Sequence, residues 1–252
     1  MLEIRALYGG YGKEDILQGV ELCAAKGAVT AVVGANGCGK TTLLKSVAGI
    51  LKPRAGEILW NGEELSSLRA TESAKRVAYL SQSAGIPEAT VEGMVLQGRF
   101  PYLSYPRRYR EGDYLIAQRA MERMGLLPFA EKSMQELSGG MRQKVFVAMA
   151  LAQETDLILL DEPTSYLDIG WQMRLSHILR ELAEEGKTIV AVLHDLLLAL
   201  KLADRIEVMA GGKIVWEGSP LDFPSAGISE ALWGVGVKEM TTPHGKQYYY
   251  TF

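Results

Sequence analysis

A glycine-rich loop between a β-rich run and a helix-forming run constrains this fold more than any other feature. Residues 28–33 read AVTAVV, residues 34–42 read GANGCGKTT, and residues 43–48 read LLKSVA. Apolar β-branched residues favour a buried strand, and the leucine, lysine and alanine that follow favour a helix. The pattern Gly-x-x-x-x-Gly-Lys-Thr between a strand and a helix is typical of a phosphate-binding loop. We therefore expect an α/β fold built around this loop.

The chemistry of phosphate binding explains the order of residues in the loop. Glycines let the backbone curl so that successive N–H groups point at phosphate oxygens, and the N-terminus of the following helix adds positive potential. Lys40 is expected to reach the β- and γ-phosphates, and the Thr41 hydroxyl to bind Mg²⁺. We predict that the chain binds ATP with Mg²⁺ and hydrolyses it. The predicted nucleotide-binding residues of the loop are Gly34, Ala35, Asn36, Gly37, Cys38, Gly39, Lys40, Thr41 and Thr42.

Composition argues against several other classes of function. The net charge is -3 and the pI about 5.8, so no basic excess favours nucleic acid as a partner. A disulfide at Cys38 would disturb the glycine-rich loop, so Cys38 and Cys23 are expected to be free thiols in a reducing, cytoplasmic compartment. No run in the sequence reaches the roughly 20 apolar residues needed to cross a bilayer. Any membrane role is therefore expected to come through a partner.

A second apolar run ends in two acidic residues. Residues 157–160 read LILL and are followed by Asp161 and Glu162. A buried strand of a parallel sheet leaves its C-terminal end at the edge where ligands bind. Asp161 is therefore expected to hold Mg²⁺, directly or through water, and Glu162 to activate the attacking water as general base. A strand that ends in a charged turn also explains the run by itself, but the phosphate loop favours the catalytic interpretation.

Another candidate anion site is formed by Ser138, Gly139 and Gly140, which precede a helix-forming run over residues 141–146. A serine at this place is also a common N-cap that satisfies backbone N–H groups of the first turn. A helix N-terminus beside glycines can instead bind phosphate. The local sequence is compatible with both interpretations.

The order of strand-like and helix-like runs predicts the architecture. Short β-rich runs dominate the first part of the chain, a helical pattern fills the middle, and strands alternate with helices again after it. We predict an α/β fold with a P-loop nucleotide-binding core of mainly parallel sheet, an antiparallel β subdomain and an inserted helical subdomain. A single domain over residues 1–252 would comprise a core at about 1–85 and 154–220, helices at about 86–153 and a short tail at 221–252.

Local signals add three details. The helix after the phosphate loop is expected to run from Lys40 to about Ile50, with Pro53 stopping it. Residues 98–112 are rich in proline, tyrosine and arginine and are expected to form a loop. Residues 210–212 read AGG between two strand-like runs, which predicts a hairpin.

These motifs resemble the nucleotide-binding subunit of an ABC transporter, and the resemblance extends over nearly the whole chain. In that family the Ser-Gly-Gly element, here Ser138, Gly139 and Gly140, contacts the ATP held by the phosphate loop of a second copy. Met141 stands where Gln or Glu is usual. The resemblance implies that two copies clamp two ATP molecules between them, and that hydrolysis releases the clamp.

Other positions match the family pattern one at a time. The resemblance implies that Tyr11 stacks on adenine, that Gln82 senses Mg²⁺ and the attacking water, and that His194 contacts the γ-phosphate. Residues 165–168 match the dimer-contact loop, with Tyr166 bulkier than the usual small residue. The predicted catalytic residues are Glu162, His194 and Gln82, and the predicted metal ligands are Thr41, Gln82 and Asp161.

The resemblance also implies partners and a location. We expect a homodimer on ATP binding, integral-membrane permease subunits that hold the protein at the inner face of the cell membrane, and indirectly an external solute-binding protein. Residues 98–101 read GRFP and resemble an element of importers of iron–siderophore, haem and cobalamin complexes. The nearby side chains Tyr102, Tyr105, Arg107 and Arg108 offer an amphipathic surface for a permease helix.

Two other classes of function are considered. A soluble ATP-switched scaffold, as in iron–sulfur assembly, would use the same motifs, because motifs do not name the partner. A gene for a polytopic membrane protein beside this one would favour the importer. A simple P-loop kinase is disfavoured by the element Ser138, Gly139 and Gly140 and by His194.

Overall fold

The structure is a computed structural model, and it describes residues 1–81, 85–243 and 245–251. Its strands are β1 (Leu2–Gly9), β2 (Leu17–Ala24), β3 (Val29–Gly34), β4 (Ala55–Trp60), β5 (Glu63–Glu64), β6 (Val77–Leu80), β7 (Leu157–Asp161), β8 (Thr188–Val192), β9 (Arg205–Ala210), β10 (Lys213–Gly218), β11 (Gly236–Thr242) and β12 (Gly245–Thr251). Its α-helices are α1 (Lys40–Val47), α2 (Ala70–Ser73), α3 (Val91–Leu96), α4 (Glu111–Arg123), α5 (Gly139–Ala152), α6 (Ile169–Glu184), α7 (Leu196–Leu202) and α8 (Ile228–Trp233).

A mainly parallel sheet forms the centre of the molecule, with the strand order β10-β9-β3-β8-β7-β6. Strand β3 pairs in parallel with β8 and β9, and β7 pairs in parallel with β8 and β6. The edge strand β10 pairs antiparallel with β9, which confirms the predicted hairpin. Continuous apolar runs such as residues 157–160 fit this arrangement, because strands of a parallel sheet are buried on both faces.

The two faces of this sheet pack against different layers. Ala31 and Val33 of β3 belong to a core cluster that includes buried residues of α4, α5 and α6. Val32, between them, belongs to a second cluster with residues of α1 and of an antiparallel sheet of order β2-β1-β4-β5. Successive side chains of a strand point to opposite faces, so one strand contributes to both cores. The predicted fold class, a P-loop core with an antiparallel sheet and inserted helices, is confirmed.

The helices α3, α4 and α5 occupy the segment for which a helical subdomain is predicted. Thr90 caps α3 by accepting a hydrogen bond from the Gly93 amide at 3.1 Å. The exact limits of the subdomain and of the tail stay predictions.

Residues 98–112 are only partly the expected loop, since a 3-10 helix covers Gln97–Tyr102 and α4 begins at Glu111. The reason is Arg99, which is buried and donates to Asp113 Oδ1 at 3.2 Å and to the Ala152 carbonyl at 2.9 Å.

The helix after the phosphate loop is shorter than predicted. It ends at Val47, and Gly49 then adopts a left-handed backbone with φ 72°. The amides of Ile50 and Leu51 turn back to the Lys45 carbonyl at 2.9 and 3.1 Å. A left-handed glycine after the last turn is a common way to end a helix. Gly49, and not Pro53, therefore ends α1.

The segment predicted as a short C-terminal tail contains regular secondary structure. It holds α8 and the antiparallel hairpin of β11 and β12. Among the residues that the structure describes, none of the helices is both long and apolar enough to cross a membrane.

Candidate nucleotide-binding site

The predicted site residues follow neighbouring strands of the central sheet. Gly34 ends β3, Asp161 ends β7, and His194 comes two residues after β8, which lies between the other two strands. Because these strands are parallel, their C-terminal ends meet at one edge of the sheet. That edge is where ligands bind in open α/β sheets.

The phosphate loop has a backbone shape that requires glycine. Gly37 and Gly39 have φ values of 78° and 111°, in the region that side chains rarely adopt. A Cβ on Gly34 would lie 2.2 Å from the Met209 carbonyl oxygen, so the loop packs directly on β9. The buried Lys40 ammonium donates to the carbonyl oxygens of Gly34 and Ala35, each at 2.9 Å. The loop is thus a curled cradle with a fixed positive charge.

Thr41 and Asp161 bring a hydroxyl and a carboxylate together at the end of β7. The Thr41 hydroxyl donates to Asp161 Oδ1 at 3.1 Å, and the Tyr79 hydroxyl donates to Asp161 Oδ2 at 3.3 Å. Burial raises the pKa of Asp161, and the hydrogen bond from Thr41 opposes that rise. These oxygen atoms are ligands that suit Mg²⁺. Tyr79 is a contact that sequence reasoning missed.

Glu162 has the geometry of a carboxylate held in place by its surroundings. Its φ is 54°, a left-handed value that is uncommon for a residue with a side chain and often marks a functional site. Its amide donates to the Val192 carbonyl at 3.1 Å, which ties it to the end of β8. The carboxylate accepts from the Ser165 hydroxyl at 3.2 Å and contacts the His194 imidazole. Two predicted catalytic side chains are therefore in direct contact.

A cavity of about 400 Å³ opens at this edge. Its wall combines the phosphate loop with the two catalytic candidates and adds Ile16, which sequence reasoning did not single out. The other lining residues are Asn36, Gly37, Gly39, Lys40, Thr41, Thr42, Glu162 and His194. The structure therefore brings six of the nine predicted loop residues together with Glu162 and His194 around one space.

The Ser-Gly-Gly element does not line this cavity. Ser138 caps α5 by accepting from the Met141 amide at 3.3 Å. A Cβ on Gly140 would lie 2.8 Å from the Tyr166 carbonyl oxygen, so the element packs against the predicted dimer-contact loop. Tyr166 itself has φ 64° and a side chain that is 80% exposed. Its bulk therefore projects to solvent and does not disturb the packing within one chain.

Gln143 connects α5 with the backbone at Glu162 and Pro163, a contact that sequence reasoning missed. Its side chain is buried and donates to the carbonyl oxygens of Pro163 and Glu162 at 3.2 and 3.5 Å. The one signal in the sequence was its position five residues after Ser138, on the same helix as the Ser-Gly-Gly element.

Tyr11 does not line the cavity. Tyr11 is half-exposed, and the Lys45 ammonium lies 5.8 Å from the centre of its ring, close enough for a cation–π contact. Gln82 lies outside the described residues. Both cysteines are free, as predicted, and Cys38 is buried.

Comparison with known proteins agrees with this geometry. The ABC transporter family model matches residues 17–165. The chain is similar to the petrobactin import ATP-binding protein FpuD of Bacillus anthracis, with 43% identity over 87% of this chain and 81% of that protein. It is also similar to the ferric enterobactin transport ATP-binding protein FepC of Escherichia coli, with 39% identity over 90% of this chain and 84% of that protein.

Solved structures share the fold. A chain of a transporter described as of metal-chelate ABC type, in an inward-facing conformation, superimposes with a TM-score of 0.84 at 27% identity over 99% of this chain and 96% of that chain. A dimeric ATP-binding cassette in a post-hydrolysis state, with ADP and Pi bound, gives a TM-score of 0.77 at 27% identity over 87% of this chain and 99% of that chain. The chain belongs to the ABC transporter family and is one of its ATP-hydrolysing cassettes.

Proposed function

We propose that this cassette hydrolyses Mg-ATP between two copies of itself and drives import of a metal chelate through a separate permease. The observation that carries the proposal is the meeting of Lys40, Asp161, Glu162 and His194 at one edge of the sheet while Ser138 lies away from the cavity. One chain thus supplies the phosphate-binding and catalytic groups but leaves the Ser-Gly-Gly element for another molecule.

The phosphate loop holds the triphosphate. Amide groups of residues 34–42 and the helix N-terminus at Lys40 face the phosphate oxygens, and the Lys40 ammonium exchanges loop carbonyls for the β- and γ-phosphates. The proposed stacking partner of adenine is Tyr11, whose ring already contacts the Lys45 cation. These contacts position the γ-phosphoryl group inside the cavity next to Glu162.

Mg²⁺ fits the oxygen atoms present at the end of β7. Thr41 and Asp161, which are hydrogen-bonded to each other, are the proposed ligands, with Gln82 as a proposed third. Within the described ranges no three His, Cys, Asp or Glu side chains could hold a metal ion by themselves, so the nucleotide would complete the coordination. When bound, Mg²⁺ neutralises charge that develops on the β- and γ-phosphate oxygens.

Glu162 and His194 act on the attacking water. The Glu162 carboxylate accepts the proton as the water oxygen bonds to the γ-phosphorus and the bond to the ADP oxygen breaks. His194 contacts this carboxylate, and its imidazole can donate a hydrogen bond to a γ-phosphate oxygen. Ser165 holds the second oxygen of Glu162 at 3.2 Å, which limits the rotation of the carboxylate.

The second copy would supply Ser138, Gly139 and Gly140. These residues begin α5, a helix of 14 residues whose N-terminal amides suit the γ-phosphate of the facing nucleotide. ATP would then lie between the copies, and loss of the γ-phosphate would weaken the dimer. The dimeric cassette with ADP and Pi, described above, supports this arrangement.

The metal-chelate cargo and the permease are inferred from the relatives, which are named for petrobactin and ferric enterobactin.

Part of the proposed permease-docking surface is exposed to solvent, since Tyr105 is 97% exposed. Tyr102 is less available, because its hydroxyl donates to the Gln153 carbonyl at 2.8 Å. Gln153 in turn donates to the Val77 carbonyl of β6 at 3.0 Å, which links this surface to the strand that precedes Gln82. Through this permease the cassette would lie at the inner face of the membrane, with an external solute-binding protein delivering the chelate.

Uptake into liposomes tests the proposal. The chain is reconstituted with the permease encoded beside it and its solute-binding protein, and ATP-dependent uptake of ferric siderophore, haem and cobalamin is measured. Glu162→Gln removes the base and is expected to lower turnover by a factor of about 10² to 10⁴ while ATP still binds. The exposed Glu184→Gln is the control and should behave as wild type. Transport of sugars or amino acids alone would reject the cargo, and near-normal hydrolysis by Glu162→Gln would reject the role of Glu162.

A further inference from the structure

The loop between β1 and β2 carries Tyr11 and also reaches the nucleotide cavity. This segment, residues 10–16, is called the Tyr11 loop below. Ile16 at its end lines the cavity, and a Cβ on Gly39 of the phosphate loop would lie 3.2 Å from the Ile16 side chain. The conformation of the Tyr11 loop therefore sets where the Tyr11 ring stands relative to the phosphate loop.

Backbone hydrogen bonds close the Tyr11 loop. The Ile16 amide donates to the Gly9 carbonyl at 2.9 Å, and the Glu14 amide donates to the Tyr11 carbonyl at 3.2 Å. These bonds join the two ends and form a turn that begins at Tyr11. The position of the middle of the loop then depends on the contacts that residues 12–15 make with the rest of the molecule.

The Arg54 guanidinium contacts the middle of the loop. It donates to the Gly12 carbonyl at 2.7 Å and to the Lys13 carbonyl at 3.2 Å, and it forms an ion pair with the Asp15 carboxylate. All of these acceptors belong to residues that closely follow Tyr11 in the sequence. One exposed ion pair by itself contributes little. A guanidinium that bonds several acceptors of one loop holds it more firmly, because its planar fork is rigid.

The backbone of Arg54 is itself tied to the antiparallel sheet. Its amide donates to the Tyr8 carbonyl of β1 at 2.8 Å, and the next residue, Ala55, begins β4 and pairs with Tyr8. Pro53 precedes Arg54, and its ring restricts the backbone there. Arg54 thus bonds the chain on both sides of Tyr11, through its amide before that residue and through its side chain after it.

We propose that Arg54 is a positioning residue for nucleotide binding, which holds the Tyr11 loop in the conformation that lets the Tyr11 ring stack on adenine. This inference rests on the proposed function, because it needs Tyr11 to contact the base. Arg54 does not line the nucleotide cavity, and its side-chain bonds go to the Tyr11 loop and not to the phosphate loop. Its loss therefore weakens the contact with the base and leaves the contacts with the phosphates intact.

The test compares Arg54→Met with Arg69→Met in calorimetric titrations with ATP and with inorganic tripolyphosphate, without Mg²⁺ so that no hydrolysis occurs. Methionine keeps part of the apolar stem and removes the donors. Arg54→Met is expected to weaken ATP binding about three- to ten-fold, the size of one net hydrogen bond. Binding of tripolyphosphate should stay as in wild type, because this ligand has no base. Unchanged ATP affinity, or an equal loss for tripolyphosphate, would overturn the inference.

Arg69→Met is the matched control. The Arg69 side chain is 81% exposed and pairs with Glu72 in α2, away from the Tyr11 loop, so this variant should bind both ligands as wild type does. In steady-state ATPase assays Arg54→Met should raise KM for ATP at unchanged kcat, because a contact with the base is equal in the ground state and the transition state. A fall in kcat with KM unchanged would contradict a role in positioning the base contact.

A double mutant shows whether Arg54 acts through Tyr11. Arg54→Met added to Tyr11→Ala should cause no further loss of ATP affinity, because the ring that Arg54 positions is already absent. A loss that multiplies with that of Tyr11→Ala would show that Arg54 acts elsewhere and would overturn the inference. Wild-type affinity in Tyr11→Ala would refute the proposed role of Tyr11 and this inference with it. Wild-type affinity in Arg54→Met beside a weakened Tyr11→Ala would overturn this inference alone.

Discussion

Replacing Gln143 by methionine removes a buried hydrogen-bond donor while it keeps the length and most of the volume of the side chain. The Gln143 amide group donates to the carbonyls of Pro163 and Glu162 at 3.2 and 3.5 Å, and the side chain is 6% exposed. Without the donor these carbonyl groups lose a partner in a buried place. The expected cost is about 1 to 3 kcal/mol of the free energy of unfolding.

This cost can be measured as a shift in melting temperature. For a chain of this size, 1 kcal/mol corresponds to roughly 2 to 4 °C, so Gln143→Met should melt roughly 2 to 12 °C below wild type. Turnover should fall as well, because the lost bonds hold the backbone of Glu162 at its left-handed φ of 54°. ATP binding should persist, since Gln143 does not line the nucleotide cavity.

Gln118→Met is the matched control for this experiment. Gln118 is exposed on α4, so the same chemical change should leave both melting temperature and turnover unchanged. Calorimetry and a steady-state ATPase assay give the two readouts. If Gln143→Met melts and hydrolyses ATP as wild type does, the two carbonyl groups do not depend on this side chain, and the proposed link between α5 and Glu162 is refuted.

Two further predictions concern a buried acid and the adenine contact. Glu207 is fully buried, its Oε2 lacks a hydrogen-bond partner in the described part of the chain, and burial raises its pKa from 4.5 to about 7 despite a hydrogen bond from Arg205. The folded state therefore binds the proton more tightly, so this group's stabilisation is present below pH 4.5 and is lost as pH rises to about 7. Glu207→Gln should then raise the free energy of unfolding at pH 8 by up to about 3 kcal/mol and should change it little near pH 4. Denaturant melts in which Glu207→Gln and wild type are equally stable at both pH values would contradict this prediction. Tyr11→Ala should weaken ATP binding by about 5- to 100-fold with kcat little changed, as expected for the loss of one stacked base, while Tyr11→Phe should keep the wild-type affinity. Equal affinities of Tyr11→Ala and wild type for ATP in a fluorescence titration would show that Tyr11 is not part of the site.

Local sequence was enough to predict the elements that bear the site. The phosphate loop, the apolar run before Asp161 and the hairpin at residues 210–212 each carry their signal within a few residues. The fold class follows from the order of these elements and is confirmed. The role proposed for His194, by contrast, came from family resemblance, because a histidine after a strand has no distinctive local signal.

Contacts between residues far apart in the sequence were not predictable in this way. The bonds of Gln143 with Glu162 and of Tyr79 with Asp161 depend on the strand order β8-β7-β6 and on where α5 packs. The terminal hairpin was missed because residues 248–250 are three tyrosines in a row, which hides the alternation of a strand. The sequence predicts a loop around Arg99 because the partner of Arg99, Asp113, lies in the next helix.

Sedimentation of the Glu162→Gln protein, with and without Mg-ATP, tests the central claim most directly. Ser138 lies outside the cavity that holds Lys40 and Glu162, so nucleotide is expected to bridge two copies. The account predicts a monomer without nucleotide and a dimer with Mg-ATP, because a ligand that binds the dimer more tightly than the monomer shifts the equilibrium towards the dimer. Ser138→Arg in the same background should keep ATP binding and abolish the dimer. A tight dimer without nucleotide, or a wild-type protein that stays monomeric while it hydrolyses ATP at its full rate, would contradict a site shared between two chains.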